Sequence, residues 1–375
     1  MNRRLHVLIG SVTIAGVLTL GGVAGLADAR GEPRVQSPVT PAAFGTPVRA
    51  IAGSFADVSE VVDSTNHVHV VASGRDGVWY ATDRTDTWQR TRALTNSSSF
   101  SYGQATIALD ANDRVHIAAT RFPNGAGDVG IWYVTDKGRA RGTFPAAPTK
   151  IAPQGNGEPV LKVQGGHLYL VDVKNWCCVG DGTVQLRTNV TGTWTVATVG
   201  RGQNPSFRLG TDGRARVAFQ RDDFGAGIFY AIASTPSGGF SHVKLPGTGN
   251  PDTNPVLALD ASNRARIAWR HFGGGSTVDF LFASQSSGGW GAASTVVSGR
   301  PPEDTMGFDI DTQGRANVAD GGASIHDLRL SGGTWHSLPV VASTNVFSLV
   351  VRRAFGGHVA IAWADGGGGV WVSRN

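Results

Sequence analysis

The chain has only two cysteines among its 375 residues, and they are adjacent, Cys177 and Cys178. Neighbouring cysteines cannot staple distant segments, so a disulfide framework is excluded as the source of the fold. Lysine and glutamate are scarce, at five and four residues, and beyond the N-terminal segment no stretch carries the 3.6-residue apolar period of a helix. Positive charge is unconcentrated: 33 basic residues face 28 acidic ones for a formal +5, mostly as scattered arginines. A nucleic-acid surface needs clustered basic residues with aromatics between them, and that cluster is missing. No Ser-His-Asp order, metal-ligand cluster or phosphate loop stands out. The glycine-rich runs 273–275 and 366–369 open no helix and cannot cradle a nucleotide. Neither cofactor nor metal is expected.

One long apolar run is present, from Val7 to about Leu26, preceded by Arg3 and Arg4 and ending in Ala27-Asp28-Ala29. That is the pattern of an export signal with a small-x-small cleavage site, and no stop-transfer charges follow it. We read residues 1–29 as a signal peptide cut near Ala29, which predicts a secreted protein without a membrane span. Residues 30–43, including Pro33 to Pro41, read as an extended tether.

What is abundant is repetition. The 346 residues after position 29 exceed what one hydrophobic core usually organises. They contain seven copies of a pattern: an apolar run, a polar turn, a second run, a third, and an aromatic leading a fourth. The second runs begin at Val68, Val115, Leu168, Ala215, Ala265, Ala316 and Val359, a spacing of 43 to 53 residues. The fourth begin at Trp88, Phe144, Trp194, Phe240, Trp290 and Trp335. The seventh copy lacks one, and Phe44 to Gly53 fits the missing strand. This predicts an all-β, seven-bladed β-propeller over residues 44–375, with four-stranded antiparallel blades and the last closed by residues 44–53. A monomer is expected.

The turns share a chemistry. Asp63 to His67, Asp110 to Arg114, Asp260 to Arg264 and Asp311 to Arg315 each begin with Asp and carry Asn, Asp or Gly at the fourth position, residues that tolerate positive φ. A basic residue follows in every copy: His67, Arg114, His167, Arg214, Arg264, Arg315 and His358. Residues that every blade repeats maintain the repeat, so this ring reads as framework.

The turns before the fourth runs, such as Asn189 to Trp194, Ser286 to Trp290 and Thr82-Asp83 to Trp88, resemble degenerate Asp boxes of sialidase-type propellers. The resemblance covers the chain from about residue 44, although most copies lack the Asp. It implies a carboxylate clamp of three arginines, which Arg121, Arg221 and Arg270 at the ends of second runs would supply. It also implies a Tyr–Glu nucleophile pair and an Asp acid. Tyr102, Glu158 or Glu303, and Asp222 or Asp223 are the corresponding candidates. No Arg-Ile-Pro segment is found in the first blade.

Ligand-binding groups are expected on the face bearing the variable loops, because variable loops on a rigid scaffold carry function. They are Arg121, Glu158, Trp176, Cys177, Cys178, Arg221, Asp222, Asp223, Arg270, His271 and Glu303. Cys177 and Cys178 could close a vicinal disulfide beside Trp176 and form a platform for a sugar ring; free thiols or an intermolecular link are the alternatives. The leading expectation is a non-catalytic module that binds a glycan or cell-surface polymer. A sialidase-like exo-glycoside hydrolase and a protein-interaction scaffold are the alternatives.

Overall fold

The computed structural model describes residues 43–375 except 126–128, 154, 176–180, 224, 311–314, 343–344, 354–357 and 367. The described residues form strands and turns only, and no helix among them is long and apolar enough to cross a membrane. The strands make seven antiparallel sheets, six built from consecutive strands and the seventh from the last three strands and the first. The chain is a seven-bladed β-propeller.

The first strands are Phe55–Val62, Phe100–Leu109, Asn156–Gln164, Gln203–Leu209, Asp252–Leu259, Thr305–Ile310 and Val346–Arg353. Each touches the first strand of the next blade, and the seventh touches the first, so together they ring the axis. The second strands begin where the apolar pattern places them, at Val68, Val115, Ala215, Ala265, Ala316 and Val359, with His167 one residue early in blade three. These strands are buried on both faces, as in Val68–Gly74 and Val359–Asp365. Small and branched side chains fill the space between blades.

Ring closure is as the pattern requires. Val48–Ala52 pairs antiparallel with Gly369–Arg374 as the outer strand of blade seven. The seam with blade one is tied further. Arg90 Nε donates to the Ala50 carbonyl at 2.6 Å, and the Val58 N–H donates to Ser348 Oγ at 3.2 Å.

The fourth strands follow the aromatics less closely. Trp88 and Trp194 sit one residue before Gln89–Thr95 and Thr195–Arg201. In blade two the strand is Thr149–Ala152, five residues beyond Phe144, and in blade five it is split into Gly289–Trp290 and Ser294–Arg300. Three of the six aromatics join blades through ring contacts. Phe144 meets Tyr80 of blade one edge-on at 5.5 Å, Trp290 meets Tyr230 of blade four at 5.3 Å, and Trp335 meets Phe282 of blade five at 5.5 Å. Phe144 keeps this contact from a loop.

Turn chemistry is as read. Asn66, Asp113 and Asn263 adopt φ of 67°, 54° and 61°. The basic residue after the turn is spent locally in several blades: Arg264 Nε donates to Asp260 at 2.9 Å, Arg114 Nη1 to the Arg139 carbonyl at 3.0 Å, and His358 bonds the Asn375 carbonyl at 2.7 Å. Two residues on, His69 lies between Asp63, at 3.3 Å, and the Tyr80 hydroxyl, at 2.7 Å.

The degenerate Asp box keeps its hydrogen bond even where the Asp is gone. Asp83 accepts the N–H of Val68, the opening residue of the second strand, at 2.9 Å. Asp136 does the same for Val115 and Asn189 for Leu168, both at 2.8 Å, and Gln285 for Ala265 at 3.2 Å. Asn375 serves Val359 in blade seven at 2.8 Å. An amide oxygen satisfies that N–H as well as a carboxylate, which is why the motif erodes without loss of the fold.

Candidate functional site at the axial mouth

The first strands share an irregularity near their starts. Their pairing with the second strand slips at Phe55/Asp57, Gly103/Thr106, Gly157/Val160, Gln203/Ser206, Thr253/Val256 and Val346/Ser348, and only blade six pairs without a break. These are β-bulges. Four of the bulged residues are left-handed: Gln104, Glu158, Asn204 and Asn254, with φ between 49° and 53°. Three of the four are followed by proline, Pro159, Pro205 and Pro255, which has no N–H for the bulge to strand.

Each of these four residues turns its own N–H toward the preceding blade. Gln104 donates to Asp57 Oδ2 at 2.6 Å, Glu158 to Gln104 Oε1 at 3.0 Å, and Asn204 to Glu158 Oε2 at 2.6 Å. Asn254 donates to Gln220 Oε1 at 2.8 Å, and Asn204 Nδ2 reaches both Gln220 Oε1, at 2.8 Å, and Asn254 Oδ1, at 3.0 Å. The result is a hydrogen-bonded chain of side chains running from blade to blade around the axis. It borders a cavity of about 480 Å³ whose wall includes Asp57, Gln104, Glu158, Asn204 and Asn254 of this chain with Arg270, Met306 and Phe347. Phe347 is 57% exposed.

The electrostatics of the mouth come from partial burial. Burial raises the Asp57 carboxyl above the usual range, against hydrogen bonds from Ser73 and Gln104 that favour its charged form. Burial lowers the Arg270 guanidinium, with Asp304 opposing the shift. Beside Arg270, Arg300 binds Asp320 through Nη2 at 2.7 Å and Nε at 3.1 Å, and Asp304 through Nε at 3.3 Å. Burial pushes the Asp320 carboxyl up to about 6, despite Arg300.

Among the sequence candidates, Glu158 and Arg270 share this cavity. Arg121 and Arg221 are not in its wall. The reason is register: Arg121 pairs with Tyr102, whereas Arg270 pairs with Thr253 and so corresponds to Thr120 and Gln220. One residue of offset sends a strand side chain to the opposite face. His271, not Arg270, stands where Arg121 and Arg221 stand. Arg121 lies 3.6 Å from the Trp132 ring centroid and 4.7 Å from that of Phe100. Arg221 pairs with Asp223 at 2.9 Å. Asp222 accepts Gln220 Nε2 at 3.0 Å, and Asp223 also holds Arg201 at 2.9 Å. His271 bonds Asp252, which takes Trp269 Nε1 at 2.7 Å as well. Glu303 is exposed beside the buried Asp304. Trp176, Cys177 and Cys178 lie outside the described residues.

Sequence reading missed Asp57, Gln104, Asn204, Asn254, Gln220 and Phe347. The signal for two of them, Asn204-Pro205 and Asn254-Pro255, was present as a dipeptide at the start of the first runs that repeats the candidate Glu158-Pro159.

No protein-family model and no curated protein matches this chain. Solved structures do. A polysaccharide lyase described as an ulvan lyase is similar with a TM-score of 0.56 at 12% identity, covering 86% of this chain and 95% of its own. An α-L-arabinofuranosidase of Fusarium graminearum, solved with an iminosugar inhibitor, gives 0.54 at 11%, covering 88% and 98%. YCF48 bound to a D1 peptide gives 0.55 at 13%, covering 90% and 96%. At such identities the likeness carries the architecture and nothing finer.

Proposed function

We propose that this protein is an exported recognition module that binds a saccharide, as the end or a side branch of a cell-surface polymer, in the axial mouth. The observation that carries this reading is the exposed ring of Phe347 facing a circle of fixed hydrogen-bonding groups. Sugars present apolar C–H faces and hydroxyl edges, so one aromatic platform opposite rigid amides, carboxylates and an arginine matches both. Similar architectures serve an ulvan lyase and an arabinofuranosidase. The N-terminal pattern of residues 1–29 supports export.

Binding is favoured over hydrolysis because the mouth's carboxylates are already committed. Asp57 accepts two backbone N–H groups, from Ser73 at 3.0 Å and Gln104 at 2.6 Å, and Glu158 accepts that of Asn204. A sialidase-like hydrolase could draw on Asp320 as its acid, since burial raises its carboxyl to about 6. The ion pair with Arg300 opposes that role.

The test is a glycan array of neutral, sialylated and uronic-acid sugars, followed by calorimetry on hits. Phe347→Ala and Arg270→Ala are each expected to weaken binding on the order of fivefold to tenfold. Arg121→Ala is expected to leave affinity unchanged. Binding that ignores both mouth substitutions would overturn the assignment, and turnover abolished by Asp320→Asn would move it to the hydrolase.

A further inference from the structure

Farther along the axis the first strands bring a second set of charges together. The residues that pair with the second position of each second strand, or with the third, Tyr169, in blade three where the strand opens one residue early, are Val61, Ala108, Lys162, Arg208, Ala258, Asp309 and Arg352. They share one level of the ring, four residues beyond the bulge at Glu158 and therefore about 13 Å deeper. Four of them are charged, and they come from blades three, four, six and seven. Arg208 Nη2 lies 3.8 Å from Asp309 Oδ1, across the position where blade five has only Ala258. Arg352 Nε donates to the Glu60 carbonyl at 3.0 Å.

This level is short of negative charge. Three basic side chains face the single carboxylate of Asp309, and Lys162 makes no ion pair or hydrogen bond among the described residues. Glu60, near Arg352, does not restore the balance, because burial pushes its carboxyl up to about 8 and keeps it protonated at neutral pH. The basic groups sense one another across the ring: burial lowers Lys162 far below the usual lysine range, and Arg208 and Arg352 lower it further against the opposing Asp309. Their side chains still meet solvent, with Arg208 18% and Asp309 17% accessible, so a small solute could enter.

The geometry points to a tetrahedral oxyanion, sulfate or phosphate, bound in the channel between Lys162, Arg208 and Arg352. Guanidinium forks pair with two oxygens of such an ion, and an ammonium supplies the third direction. Occupancy would offset the repulsion between Arg208 and Arg352, favour the charged form of Lys162, and join blades three, four and seven through one ion. The site is distinct from the mouth and independent of any saccharide bound there.

The test is calorimetric titration of the purified protein with sodium sulfate and with sodium phosphate. Thermal melts at constant ionic strength, balanced with sodium chloride, accompany it. Saturable binding is expected, with a saturable rise in melting temperature over chloride. Lys162→Met is expected to weaken the oxyanion about tenfold or more, and Arg121→Ala to change nothing. No heat of binding to the unaltered protein would overturn the proposal whatever the variants do. A rise that stays linear in sulfate and is the same in Lys162→Met would also overturn it, because oxyanions stabilise proteins generally by exclusion from their surfaces.

Discussion

Glu60 shows how much one residue can depend on its place between blades. It is 1% exposed, both carboxyl oxygens lack hydrogen-bond partners, and the corresponding residues of blades two and three are Ile107 and Leu161. Burial raises its carboxyl to about 8 from an ordinary 4.5, with Arg352 and Arg374 opposing. Between those values the folded protein holds a proton that the unfolded chain has released. Stability therefore falls as pH rises from about 4.5 to about 8 and is lowest above that window. Glu60→Gln resembles the protonated form and should remove this slope. Melting curves from pH 4 to 9 should show the two proteins similar at the acid end and the variant more stable at the alkaline end. Parallel curves would mean that Glu60 finds a partner when ionised.

At the scale of the strand, the bulge is the element that builds the mouth. Its left-handed residue aims one N–H across the blade boundary and its side chain at the axis, and a straight strand would do neither. The conformation selects the residue type. Asn254, at φ 51°, tolerates the left-handed region, whereas a β-branched side chain there meets its own backbone. Asn254→Val should cost about 1–3 kcal/mol by chemical denaturation, and Asn254→Gly should cost less. Equal losses would show that the side-chain bond from Asn204, rather than the backbone, sets the requirement.

For the whole molecule the decisive event is closure. The strand Val48–Ala52 completes blade seven and receives Arg90 from blade one, so two blades depend on it. A chain beginning at residue 54 would leave the outer edge of Gly369–Arg374 unpaired and uncover the buried Ala50 and Ile51. We expect a sharply lower melting temperature and concentration-dependent association through the bare edge. A truncated protein that melts with the full chain would contradict the closure.

The architecture was legible because blades are local. Turns such as Asp63 to His67 and second runs such as Val68 to Gly74 are set by neighbours in sequence, and their spacing repeats. Phe44 to Gly53 could be assigned to the seventh blade because that copy lacked one strand. The mouth was not legible in the same way. Arg270 falls at the end of a second run just as Arg121 and Arg221 do, and only strand register shows that it faces the other way. Glu158, Asn204 and Asn254 carry a repeated proline signal, but their meeting around one axis depends on seven blades curving into a ring. Periodicity is a property of the chain and can be read from it. Convergence is a property of the closed ring, in which residues about fifty positions apart become neighbours, and tertiary structure alone decided it.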